Sequence, residues 1–292
     1  MSQDTYDGVI ESVSGFVEQV SELNEEAIHK LKPSVSSMTF YRGQANSEWS
    51  LSPKLYREDL FKKESVLISE FMRRAPESFA GMSHFDTLVK MQHYGLPTRM
   101  LDTTQNPLVA LFFACYDDPE KERDGALYIF PSLPVFRPES DPIRIIMKYI
   151  FDYSGISINK NKFKRDLDSE YDLSISAESV ISRLTVPRHA VLPSMNNERI
   201  SRQHGSFILF GMNGENEENE KYENQKKEKT RFSPVSPKNP KELCHKTKVF
   251  KVNSDFKPSI LRELALLGVT KSNLFPELES KAEFVTKFVQ RM

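Results

Sequence analysis

Several short polar clusters stand out for the side chains they would offer a ligand. Phe40-Tyr41-Arg42-Gly43-Gln44 puts a guanidinium at the end of an apolar run and follows it with a glycine. An arginine so placed can clamp a phosphate or other anion in a cleft, with Gly43 letting the backbone come close to the ligand. It can equally pair with a buried carboxylate such as Asp102, because buried charges need partners. Gln92-His93-Tyr94-Gly95-Leu96-Pro97-Thr98-Arg99 crowds Gln92, His93 and Arg99 onto a helix end and the turn after it, with Gly95 and Pro97 fixing the backbone. His93 there serves a polar site or caps the helix. Asp102-Thr103-Thr104 can orient a ligand or cap the helix that follows. Arg199 to Phe207 sets Arg199, Arg202, Gln203 and His204 directly before a strand, and Gly205 implies close packing or a ligand.

None of these clusters has the spacing of a phosphate loop, a dinucleotide fingerprint, a zinc-protease helix or a serine-hydrolase elbow. Cys115 sits inside an apolar run and Cys244 beside His245, without the paired spacing of a zinc site or disulfide framework. No metal is expected.

The elements that must carry these clusters follow from periodicity. Apolar residues from Val9 to Leu31 recur at helical spacing opposite Asp and Glu, which predicts an amphipathic amino-terminal helix. A strand over residues 38–43 precedes helices over 64–79 and 85–94, the latter stopped by Gly95 and Pro97. Residues 98–104 read as extended. Asn106 then caps, and Pro107 opens, a buried helix through Cys115. Strands are predicted at 126–130, 206–211 and 248–252, and short helices at 260–267 and 278–288. Residues 131–192, with Pro131, Pro134, Pro138 and Pro142, read as an insertion over one side of the core. Residues 213–231 hold almost only Asn, Glu, Lys and Gln and read as a flexible charged loop. The sum is an α+β protein with a helical segment at 1–37 and a domain at 38–292.

With 38% hydrophobic and 28% charged residues in a 292-residue chain, the composition is that of a soluble globular protein. Lys plus Arg number 40 against 41 Asp plus Glu, a net charge of −1 that draws the protein toward neither nucleic acid nor membrane. The polar amino terminus lacks the pattern of a secretory signal, and no apolar run reaches the ~18 residues of a membrane span. A cytoplasmic location is expected.

Taken together, Tyr41-Arg42-Gly43, the run from Gln92 through Leu101-Asp102 to Ala114, Arg199 through Phe207 and the tail Asn273-Leu274-Phe275-Pro276-Glu277-Leu278 resemble the FRG family. Their order is similar to that of the ADP-ribosyltransferase superfamily, which implies a split mixed or antiparallel β core flanked by helices and NAD as substrate. On that resemblance Arg42 is the first motif, Thr103-Thr104 before the Ala- and Phe-rich helix the second, and Gln203 the third, where the superfamily usually has Glu. Arg42, Thr104 and Gln203 would then be the catalytic set. Gln44, His93, Arg99, Asp102 and Thr103 would join Arg42 around NAD. Glu198 lies near the third motif as another carboxylate. The resemblance implies modification of a protein or nucleic-acid acceptor, as a toxin or effector in bacterial anti-phage defence with a partner protein of that system. The alternative is a non-catalytic nucleotide or nucleic-acid recognition domain acting as a defence sensor through Arg42, His93, Arg99 and Arg202. In a third reading these residues knit a buried network and the acidic amino-terminal helix binds a partner.

Overall fold

The computed structural model describes residues 6–30, 37–116, 122–153, 157–171, 173–195, 197–216, 229–235 and 240–276. Strand β1 (Gly8–Ile10) leads into helix α1 (Val13–Lys30). The expected helix from Val9 is therefore shortened. Ser12 accepts the Gly15 N–H and Glu263 accepts the Val13 N–H at 2.7 Å, so the helix starts after Ser12 and Val9 stays in a strand. Leu31 lies outside the described residues.

Strand β2 (Ser37–Gln44), helix α2 (Lys54–Arg57) and helix α3 (Glu64–Arg74) follow. Helix α3 ends before the expected Phe79 because Pro76 has no N–H to continue it, and residues 76–78 tighten into a 3-10 turn. Helix α4 (His84–His93) begins on Ser83, whose hydroxyl accepts the Asp86 N–H. Strand β3 (Met100–Thr104) and helix α5 (Pro107–Cys115) come next, with Asn106 accepting the Leu108 N–H as the sequence led us to expect.

Strand β4 (Gly125–Phe136) runs beyond residue 130 because a register shift opposite residues 38–40 absorbs Pro131 and Ser132, the latter at φ 56°. The chain continues through α6 (Asp141–Asp152), β5 (Ser157–Asn159), α7 (Lys160–Tyr171), α8 (Ala177–Leu184), β6 (Arg188–Val191) and α9 (Glu198–Arg202). After β7 (Gly205–Phe210) come β8 (Met212–Asn216), β9 (Lys229–Pro234), α10 (Pro240–Leu243), β10 (Lys248–Val252), α11 (Lys257–Leu266) and α12 (Lys271–Leu274). The helix expected at 278–288 lies outside the described residues.

The main sheet has the order β1-β10-β4-β2-β3-β7-β6, and β6 pairs back onto β4 through Val135↔Ala190 and Phe136↔Val191. Strands β4, β2, β3, β7 and β6 thus close into a ring, with β10 and β1 branching from β4. Pairs β1–β10 and β4–β6 are parallel and the others in this sheet antiparallel. The α+β class holds.

Alternate residues of the ring strands, Phe40, Leu101, Tyr128, Phe130, Ala190, Ile208 and Phe210, form one buried cluster inside it. Helices α1, α5 and α11 pack outside against Leu127 and Ile129, so residues before 37 share this core through Ile10, Val13 and Phe16. A third cluster joins α3 and α4 to α6, α7 and α8. Residues 131–192 begin and end in the ring and carry those last helices between.

The loop expected at 213–231 is partly strand: β8 and β9 pair antiparallel, and β5 joins β9. Phe232 drives this, buried with its ring 5.3 Å from that of Tyr149. Residues 217–228 lie outside the described residues.

Candidate functional site

Strands β2 and β3 share one registered pair, Tyr41↔Thr104. Beyond it they part, and the Arg42 guanidinium fills the opening by donating Nη1–H to the main-chain carbonyl of Asp102. A cavity of about 280 Å³ lies at this gap. Arg42, His93, Asp102, Thr103, Thr104 and Gln203 all line it, so the structure brings these sequence-selected residues together. Val89, Phe113, Ile200 and Phe207 supply apolar surface, and Gln92, Arg199 and Ser206 add to the polar one.

Each polar group is held by its element. Helix α4 ends with Gly95 at φ 90°, where the Gly95 and Leu96 N–H groups close on the carbonyls of Gln92 and Met91. That turn holds Gln92 so that its Nε2 donates to Asp102 Oδ1 at 2.7 Å while its Oε1 accepts the Thr98 hydroxyl. The cavity's carboxylate is therefore fixed by a chain that starts at a buried threonine. Thr103 and Ser206, register partners on β3 and β7, join hydroxyls at 2.8 Å. The Thr104 hydroxyl donates to the Gln203 carbonyl at 2.7 Å and accepts the Asn106 N–H at 3.0 Å, which spends its proton inside the protein. Gln203 in turn donates Nε2–H to the carbonyl of Leu274 at 3.1 Å.

The hydrogen bond of Arg42 runs to the backbone of Asp102 rather than to its carboxylate. Burial lowers the Arg42 pKa from its ordinary value, and the Asp102 charge opposes that shift. Its Nε, together with Tyr128 Oη and Gln44 Oε1, has no hydrogen-bond partner among the described residues. Tyr128 is the register partner of Arg42 on β4.

Two expected site residues lie elsewhere. Arg99 is fully buried away from the cavity, in a bidentate pair with Glu64 of α3 and with its guanidinium against the rings of Phe61 and Tyr149. Burial works against its charge, but the Glu64 carboxylate outweighs this and holds the Arg99 pKa above its ordinary value. Gln44 is buried at the end of β2 and does not line the cavity. Glu198 also stays out of the lining, in an exposed pair with Arg202.

Gly43 lines the cavity and also serves packing. A Cβ there would stand 1.9 Å from the Ala110 carbonyl oxygen, so this glycine admits helix α5 onto the sheet. The sequence reading missed Phe113, Ile200 and Phe207, whose apolar type marks them as core and whose place at a splayed strand edge only the fold reveals. Among the described residues no group of three or more His, Cys, Asp or Glu could hold a metal ion, and no helix is long and apolar enough to cross a membrane.

Residues 37–123 match the family model of the FRG domain. The chain carries an FRG domain. The matched stretch supplies Arg42, His93, Asp102, Thr103, Thr104 and Phe113 to the cavity, and the wall formed by residues 199–207 comes from outside it. No curated protein and no solved structure matches the chain.

Proposed function

We propose that the FRG-domain cavity binds NAD and transfers its ADP-ribose to an acceptor on a protein or nucleic acid. The observation that carries this reading is the convergence of Arg42, Thr103-Thr104 and Gln203 on one cavity at the gap between β2 and β3. Their order along the chain is similar to the motif order of the ADP-ribosyltransferase superfamily.

The residues present suit such a substrate. Arg42 offers donors to an anionic phosphate, and Phe113 and Phe207 offer aromatic surface to a flat ring. The cavity falls just below the ~300–1,000 Å³ range of ligand pockets, a size for one end of a dinucleotide. In the reaction the C1′–N bond breaks, nicotinamide leaves with its electron pair, and an acceptor nucleophile bonds to C1′ and gives up a proton. The positive charge that grows on the ribose meets Asp102, the acidic residue among those lining the cavity. Asp102 thus takes the role that the resemblance assigns to a glutamate at position 203. Action as an effector in bacterial anti-phage defence is the setting we propose, on the family resemblance alone.

A binding-only reading is favoured by a different observation, the commitment of the Thr104 hydroxyl and the Gln203 amide to internal hydrogen bonds. Calorimetric titration with NAD, combined with mass-spectrometric detection of nicotinamide, separates the two. We expect Arg42→Ala to abolish binding, and Asp102→Asn to retain binding while cutting release by roughly 100-fold. Binding without release in the wild type selects the recognition reading, and no binding at all overturns both for NAD.

A further inference from the structure

We propose that residues 273–275 brace one wall of the cavity from behind and that Phe275 is a positioning residue for ligand binding. The effect on ligand rests on the NAD reading above; the wall itself does not.

Consecutive residues at the end of α9 grip consecutive carbonyls of this segment. Arg202 Nη1 donates to Asn273 at 3.2 Å and Gln203 Nε2 to Leu274 at 3.1 Å. The segment is held from its own side by Thr270, whose hydroxyl accepts the Asn273 N–H and caps α12. Phe275 then lies behind the cavity with two lining residues resting on it. The Arg199 guanidinium carbon stands 4.8 Å from its ring centre, and the Phe113 ring meets it edge-on at 6.0 Å and 82°. Arg199 comes from α9 and Phe113 from α5, so one ring sets the relative position of two walls that are far apart in sequence. An aromatic ring does this through its face for the cation and its shape for the neighbouring ring, and an aliphatic side chain of similar bulk provides neither geometry.

The test compares Phe275→Leu with Phe275→Tyr in the full chain, and adds Gln203→Leu, which removes the donor to Leu274 while leaving the ring in place. Hydrogen exchange of backbone amides 199–206 reads the wall without any ligand. We expect exchange there to quicken roughly fivefold in Phe275→Leu and Gln203→Leu and to stay at the wild-type rate in Phe275→Tyr. NAD titration reads the positioning: the Kd should rise about threefold to fivefold in Phe275→Leu and stay unchanged in Phe275→Tyr. Unaltered exchange in both Phe275→Leu and Gln203→Leu overturns the wall, whatever NAD does. Quickened exchange with an unchanged Kd overturns the positioning role. A wild type that binds no NAD refutes the NAD reading and with it the ligand effect, while the exchange result still decides the wall.

Discussion

Gln203 donates its side-chain amide to the main-chain carbonyl of Leu274, a residue 71 positions further along the chain, at 3.1 Å. A carboxylate has no hydrogen to give and would turn an oxygen toward that carbonyl. The amide at the third motif therefore has a packing reason, and the negative charge at the cavity comes from Asp102 instead. Gln203→Glu is expected to lower stability by ~1–2 kcal/mol in urea denaturation and to leave nicotinamide release no higher than in the wild type. An increase in release would return the third motif to the catalytic set.

The Arg99 and Glu64 side chains are both buried and depend on each other. Glu64→Ala leaves the guanidinium buried without its carboxylate and should cost ~3–5 kcal/mol. Replacing both residues with apolar ones of similar volume should recover most of that loss. Denaturant titration of the single and double variants checks this, and a double variant as unstable as the single one would refute the pairing.

Gly43→Ala forces a methyl group into the carbonyl of Ala110. Backbone on both sides leaves little room to yield, so the variant should lose ~3 kcal/mol or more, at or above the usual range for overpacking. Circular dichroism melting would show a lowered Tm or no cooperative transition.

His189 gives the fold a pH dependence. Burial, helped by the positive charge of Arg188, pushes its pKa down from 6.5 to about 4. The unfolded chain therefore takes up a proton at this residue before the folded one does. Stability from this residue is complete above about pH 6.5 and drains away as the pH falls toward about 4, by ~3 kcal/mol in total. His189→Gln, measured by urea denaturation across this interval, should show a shallower decline than the wild type. Parallel slopes would show that the imidazole titrates normally.

Local signals were legible wherever the chain writes its own boundary. Asn106-Pro107 announces α5, Gly95 ends α4, and Ser206 to Phe210 reads as a strand because its β-branched and aromatic residues suit one. The site was legible in part for the same reason: Arg42, His93 and Asp102-Thr103-Thr104 stand at such boundaries. Arg99 misled because its partner Glu64 is 35 residues away, and nothing local says which side of the chain a guanidinium will face. The β8–β9 pairing was hidden by polar composition, since its order comes from Thr230 and Phe232 turning inward at alternate positions. Ring closure rests on two register pairs between β4 and β6, more than fifty residues apart, which no periodicity can signal.

That closure bears on how the family signature can travel. The matched stretch 37–123 includes β2 and β3, whereas β4, β6 and β7, which complete the circle, are all encoded after it. Excised by itself, the signature would have two strands touching at one register pair and bare edges on either side. The matched unit is thus smaller than the closed ring, and a graft or truncation that respects only the former leaves behind the strands that frame the cavity.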